Sequence, residues 1–158
     1  MLRAGRGRVS PPAGPRLVRL GRDRPAGLTA ALRAAGLPAD DIRPDVTAFF
    51  RLEEAGEALG WAALERHGDE ALLRSVLVAP AHRRGGIGED LVRRVAGEAA
   101  AAGIVRLWLL TEGAAPFFAK LGFLGASRED APEAIRRTSE FAGVCPGSAA
   151  CMTLALTR

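Results

Sequence analysis

The chain has 158 residues, of which 48% are apolar and 25% charged, which suits one globular domain with a substantial core. Its formal net charge is only +4 and its aromatic residues are six Phe and two Trp, so we expect no basic surface interleaved with stacking aromatics and no nucleic-acid partner. No stretch of about 18 apolar residues could cross a bilayer, and the N-terminus lacks the apolar segment of a signal peptide. We therefore expect a cytoplasmic protein that does not enter membranes.

The predicted elements form an alternating α/β pattern behind a tail. Residues 1–15 are rich in Pro, Gly and Arg and are predicted to be disordered, which leaves a single domain over residues 16–158. That domain begins with a strand at 16–21, a helix at about 26–35 and a three-stranded meander with tight turns at EEAGE and HGD. The later elements are a helix at about 87–102, a strand at 105–110, a helix at about 114–121, a polar helix near 131–139 and a last strand from about 150.

A glycine and arginine cluster, RRGGIG at 83–88, lies between a predicted strand and a predicted helix. The first N–H groups of a helix lack intrahelical partners and the dipole is positive there, so this junction suits an anion. The loop has neither the Lys-Ser/Thr ending of a P-loop nor the spacing of a dinucleotide fingerprint. Arg83, Gly86 and Gly88 instead match the pattern R/Q-x-x-G-x-G/A, although a turn without a ligand would also explain the loop taken alone.

Two blocks together carry a family resemblance. VLVAPAHRRGGIGEDLV, followed further along by APFFAKLGF, is similar to the GNAT superfamily of acetyl-CoA-dependent N-acetyltransferases. The resemblance implies a mixed, mostly antiparallel twisted sheet flanked by helices, with a splay between the fourth and fifth strands where the pantetheine of acetyl-CoA would lie. The residues that it assigns to the co-substrate are Val76, Leu77, Val78, Arg83, Arg84, Gly85, Gly86, Ile87, Gly88, Phe117 and Lys120.

The carboxyl-terminal half narrows the resemblance. LLTEGAAPFFAKLGF, EAIRRTSEF and CPGSAACM look similar to a GNAT subgroup associated with arsenic resistance, and more distantly to amino-acid acetyltransferases. This implies a small amino acid, or an amino-acid-like arsenical, as the acceptor.

Acetyl transfer needs a base for the amine, an N–H donor for the oxyanion and, in many cases, an acid for the thiolate. The resemblance implies a Tyr acid on the late helix, but Phe118 stands there and the chain has no Tyr. Cys145, Ser148 or a water molecule could replace it, and the N–H of Val76 or Leu77 could meet the oxyanion.

Glu112 is the predicted base because it directly follows the fifth strand. Glu65 and Glu70 are rivals, although each would more commonly be a solvated surface acid. His67 falls in a Gly-Asp turn and is interpreted as a solvated loop residue, and His82 as a loop residue near the co-substrate.

Arg74 lies in the middle of a strand, where a buried guanidinium needs a partner. Strand alternation would put it on the face of Val76 and Val78, where it could pair with a substrate carboxylate. An internal salt bridge to Glu65 or Glu70 is the alternative. The predicted acceptor-binding residues are Arg74, Ser75 and Ser148.

These observations predict an N-acetyltransferase that works by direct transfer in a ternary complex, without a metal. The alternatives are a non-catalytic acyl-CoA-binding module and a protein that binds trivalent arsenic through Cys145 and Cys151. A homodimer is possible.

Overall fold

The computed structural model describes residues 14–21, 28–37, 39, 42–43, 45–83, 85–144 and 147–157. The predicted tail therefore lies outside them except for Gly14 and Pro15. No helix formed by these residues combines the length and the apolar composition needed to cross a membrane. The strands are β1 (Arg16–Arg19), β2 (Thr47–Glu54), β3 (Glu57–His67), β4 (Glu70–Val78), β5 (Arg106–Thr111), β6 (Leu124–Gly125) and β7 (Ala150–Ala155). The helices are α1 (Leu28–Ala34), α2 (Ile87–Ala101), α3 (Ala115–Lys120) and α4 (Glu133–Arg136).

The strands form one sheet in the order β1-β2-β3-β4-β5-β7-β6. Every neighbouring pair is antiparallel except β4 and β5, which are parallel and are joined by the crossover helix α2. The predicted mixed, mostly antiparallel sheet flanked by helices is confirmed.

Apolar clusters cover both faces of the sheet. On one face, α2 buries Leu91, Val92 and Val95 against β2 to β5. On the opposite face, α1 packs through Leu28 and Leu32 on β2 and β3, while α4 packs near Trp108 of β5. The second face thus carries two separate clusters, with the middle of β4 between them.

Strands β4 and β5 pair over a short distance only. Their ladder joins Glu70–Leu72 to Arg106–Trp108, and both strands continue beyond it without pairing to one another. The predicted splay is therefore present. We call the gap between the unpaired parts of β4 and β5 the seam.

The polar helix predicted near 131–139 is shorter than expected. It ends at Arg136, and the Thr138 hydroxyl donates a 2.6 Å hydrogen bond to the carbonyl of Ile135. A threonine side chain that takes a local carbonyl competes with the helical ladder. The chain then forms a wide turn over Glu140–Val144 that leads towards β7.

Candidate functional site

A cavity of about 870 Å³ occupies the seam. Its walls come from β4, the loop before α2, the end of β5, α3, and the turn that precedes β7. The lining residues include Gly36, Leu37, Leu73, Arg74, Ser75, Val76, Val78, Arg83, Gly86, Gly88, Glu89, Leu109, Leu110, Thr111, Glu112, Ala114, Phe117, Phe118, Lys120, Glu140 and Ala149.

One end of the cavity has backbone and side-chain features that suit an anion. Gly86 caps the N-terminus of α2 with a left-handed backbone (φ 81°), which a residue with a Cβ would adopt only under strain. The first amides of this 15-residue helix point out of its positive end. Arg83 and the exposed Lys120 line the same cavity. The arrangement fits a phosphate-bearing co-substrate, because amides and cations meet where glycine leaves the backbone open.

Apolar side chains of Val78 and Phe117 line the part of the cavity next to Gly88. A Cβ built on Gly88 would lie 3.2 Å from the Phe117 ring and 3.4 Å from a methyl group of Val78, so glycine keeps this passage open. The Phe118 ring packs edge-on against Phe117 and Phe123. Phe118, which occupies the place of the expected Tyr, is buried and has no proton to donate.

Two residues of β4 direct their backbone N–H and C=O groups into the seam. The Ala79 N–H donates to the carbonyl of Leu59 in β3, and backbone groups of alternate strand residues point to opposite sides. Leu77 therefore also directs its N–H and C=O at β3, whereas Val76 and Val78 direct theirs into the seam. Of the two amides predicted to meet an oxyanion, only that of Val76 faces the cavity.

A β-bulge at Ser75 changes the side-chain pattern of β4. Ser75 has φ 58°, and the pairing with β3 shifts between Trp61–Leu77 and Ala63–Arg74. The extra residue reverses the alternation, because two residues of β4 oppose one residue of β3. Arg74 therefore does not share a face with Val76 and Val78, and that prediction was wrong. Both sets still line the cavity, because the seam passes through the sheet.

Arg74 belongs to a buried group of charged side chains. Its guanidinium lies 3.5 Å from a carboxylate oxygen of Glu65 and 3.9 Å from one of Glu140, and the Arg74 side chain has no exposed surface. The other oxygen of Glu65 lies 2.7 Å from Nε2 of His67. We call Arg74, Glu65, Glu140 and His67 the charged cluster. The predicted internal salt bridge to Glu65 is present.

Two expectations about titratable residues were wrong, those for Glu65 and His67. Glu65 is buried rather than solvated, and His67 ends β3 with its side chain 14% exposed rather than lying free in a turn. The Glu70 carboxylate accepts a 2.9 Å hydrogen bond from the Trp108 indole, which gives it a structural role. His82 lies 2.8 Å from Glu57, so it ties the turn before the glycine loop to the start of β3.

The remaining predicted residues are divided between the cavity and its surroundings. Glu112 lines the cavity and is exposed, and Ser75 lines it with a hydroxyl that has no hydrogen-bond partner among the residues the structure describes. Ser148 is exposed beside the lining residue Ala149. Ile87 packs in the core on the α2 face, and Gly85 is exposed. Arg84 and Cys145 lie outside the described residues.

Sequence reasoning missed Glu140. It is the only charged residue between 138 and 157, in a stretch of small and apolar residues. A lone acid in such a stretch is a usable signal, because a buried carboxylate requires a cation or several donors.

Cys151 is a buried free thiol on β7. Burial raises its pKa, and the nearby Arg128 only partly offsets this. A protonated thiol is a poor ligand for thiophilic species. Within the described ranges, no group of three or more His, Cys, Asp or Glu side chains could hold a metal ion.

The cavity, the glycine loop and the sheet agree with a family assignment from sequence. The sequence model of the acetyltransferase (GNAT) domain matches residues 45–124, which are 80 of the 158 residues. The chain belongs to the GNAT acetyltransferase family. This family consists of acyltransferases, and the matched region contains the seam and the glycine loop.

Curated and solved relatives agree with the GNAT assignment. The GNAT chain is 35% identical over 98 residues to an amino-acid acetyltransferase of Ralstonia nicotianae, a match that covers 61% of this chain and 22% of the relative. The chain thus spans about a fifth of the length of the curated relatives that it matches.

Two solved structures share the GNAT fold. The N-acetylglutamate synthase of Neisseria gonorrhoeae, complexed with coenzyme A and N-acetyl-glutamate, superposes with a TM-score of 0.76 at 24% identity, over 94% of this chain and 37% of that one. A GNAT acetyltransferase of Staphylococcus aureus Mu50 superposes with a TM-score of 0.70 at 16% identity, over 91% of this chain and 100% of that one.

Proposed function

We propose that this protein transfers the acetyl group of acetyl-CoA to the amino group of a small amino acid, within a ternary complex. One observation supports the proposal most: a single cavity in the open seam is lined both by the glycine loop and by Arg74 and Glu140 of the buried charged cluster. A donor that carries phosphates would enter at one end and a charged acceptor at the other.

The donor would lie along the seam. Its phosphates would contact the amides at Gly86 and Gly88 and the side chain of Arg83, and its pantetheine would extend past Phe117 along β4. Acetyl-CoA supplies the activated thioester, and the Val76 N–H is available to the oxyanion that forms when an amine attacks it.

The acceptor would lie at the charged cluster. We propose Arg74 as the contact for a substrate carboxylate, and its guanidinium, which has no exposed surface in the structure, would have to become accessible as the acceptor enters. The similarity to amino-acid acetyltransferases is consistent with this acceptor class. An arsenic-containing amino acid receives no such support.

Glu112 remains the predicted base and Ser148 a predicted contact to the acceptor. Glu112 lies at the cavity wall, where water molecules could relay a proton from a bound amine. We also propose that residues 16–158 act as a single domain. The cytoplasmic location and a homodimer stay predictions.

The experiment is an acceptor panel analysed by mass spectrometry. Free amino acids, simple amines and one arsenic amino-acid analogue are incubated with acetyl-CoA, and binding of acetyl-CoA is measured by calorimetry in the same preparation. We expect acetylation confined to amines that carry a carboxylate. Binding of acetyl-CoA without transfer to any amine would contradict the proposal and favour a non-catalytic acyl-CoA-binding module.

A further inference from the structure

We propose that Glu140 binds the ammonium group of the acceptor and, together with Arg74, selects zwitterionic substrates. The inference rests on the proposed function. It assigns a role to a carboxylate that follows α4 and lies apart from the glycine loop and the strand ends.

The position of Glu140 separates it from the other acids of the cavity. The carboxylates in the described lining are Glu89, Glu112 and Glu140. Glu89 and Glu112 are exposed, whereas Glu140 is buried. An ion pair with a substrate ammonium gains more where water is excluded, because the effective dielectric constant is lower there. Among these three acids, Glu140 is therefore the one best placed to bind an amine strongly.

The distances show where a zwitterion would fit. The Arg74 guanidinium lies 3.5 Å from a carboxylate oxygen of Glu65 and 3.9 Å from one of Glu140. Of these two acids, Glu140 lines the cavity and Glu65 does not. Once the buried guanidinium is accessible, an amino acid would place its carboxylate on Arg74 and its ammonium on Glu140, so that the charges alternate. Glu65 and His67 would then hold Arg74 in place from behind.

The backbone holds Glu140 firmly. The next residue, Phe141, is buried in the cluster that contains Trp108 and Ile135. The N–H of Ala142 donates a 2.8 Å hydrogen bond to the carbonyl of Thr138, which fixes the turn. These two contacts anchor the chain beside Glu140 and hold its carboxylate at the cavity wall.

The test compares Glu140→Gln with Glu133→Gln. The Gln side chain keeps the shape of Glu140 and removes its charge, and Glu133 is an exposed acid on α4 that pairs with Arg137 outside the cavity. For each variant, calorimetry measures the affinity for acetyl-CoA and, with desacetyl-CoA bound, the affinity for the panel amine that the wild-type chain binds best. Kinetics then gives KM and kcat for the amine.

We expect Glu140→Gln to weaken amine binding and raise KM by about tenfold to a hundredfold, the range for one lost charge-assisted hydrogen bond. Its affinity for acetyl-CoA should stay within about twofold of wild type, and Glu133→Gln should match wild type throughout. Glu140→Asp keeps the charge and should restore part of the amine affinity. If Glu140→Gln does not fold, Glu140→Asp provides the comparison with wild type instead.

Two analogues of the acceptor complete the experiment, one that lacks only the carboxylate and one that lacks only the amine. Glu140→Gln should lower the affinity for the analogue that keeps the amine. Its affinity for the analogue without the amine should be at least that of wild type. Unchanged amine affinity in a folded Glu140→Gln variant would overturn the inference. Amine binding by wild type without acetyl transfer would overturn the proposed function and leave the role of Glu140 standing.

Discussion

Arg74 shows how one residue can serve both stability and function. Its guanidinium is completely buried between two carboxylates from different parts of the chain. Burying an ion pair costs desolvation free energy, so such a group contributes little net stability when intact and a large penalty when half of it is removed. The same residue is therefore costly to replace whether or not it touches a substrate.

We expect Arg74→Met to lower the free energy of unfolding by about 3–5 kcal/mol, because two buried carboxylates lose their shared cation. Urea unfolding followed by circular dichroism measures the change. The control is Arg93→Met, which breaks an exposed pair with Glu89 on α2 and should cost less than about 1 kcal/mol. Equal losses in the two variants would mean that the charged cluster is well solvated in the protein.

At the scale of elements, β3 and β4 fit one another closely beside the bulge. A Cβ built on Gly60 of β3 would lie 2.7 Å from the backbone carbonyl oxygen of Leu77 and 3.2 Å from a methyl group of Leu91. The strand could accept the added methyl group only by moving away from β4. Gly97, in the middle of α2, has no atom within 4 Å of the equivalent position.

These two glycines predict opposite effects of the same substitution. Gly60→Ala should destabilise the protein by about 1–3 kcal/mol, as expected for overpacking against backbone. Gly97→Ala should stabilise it by about 0.5–1 kcal/mol, since alanine is the better helix former. Urea midpoints of the two variants give the comparison. A stabilising Gly60→Ala would show that β3 and β4 separate easily next to the cavity.

The elements that the sequence could predict are those with a strong local pattern. The meander follows from alternating apolar residues and Gly turns, and α2 from the apolar period that begins after the glycine loop. The bulge at Ser75 could not be predicted, because a serine within a run of aliphatic residues carries no local signal for a positive φ. The charged cluster depends on that bulge and on Glu140, which approaches β4 from a distant part of the chain. Proximity of this kind is a property of the packed fold.

At the scale of the whole molecule, ligand binding should appear as added stability. The seam leaves part of the sheet without its ladder, and a ligand that lies there binds only the folded chain. Coenzyme A at about 100 times its dissociation constant should add about 2.7 kcal/mol. For a domain of this size the melting temperature should rise by about 5–10 °C.

Pantetheine is the matched control ligand, because it can occupy the seam but has no phosphates for the amides at the start of α2. We expect a much smaller rise in melting temperature with pantetheine at the same concentration. If both ligands raised it equally, the glycine loop would make no contribution to binding. A change in neither would argue against any ligand in the seam.

The seam has one more consequence. Beyond Leu72 in β4 and Trp108 in β5, the sheet has two edges in its interior as well as those at its sides. Unpaired strand edges are the places where one protein chain joins another and begins to aggregate. A protein that keeps this gap open for a reactant also keeps open a route to self-association. The reactant that fills the gap would then serve a second purpose, by keeping neighbouring copies of the chain apart.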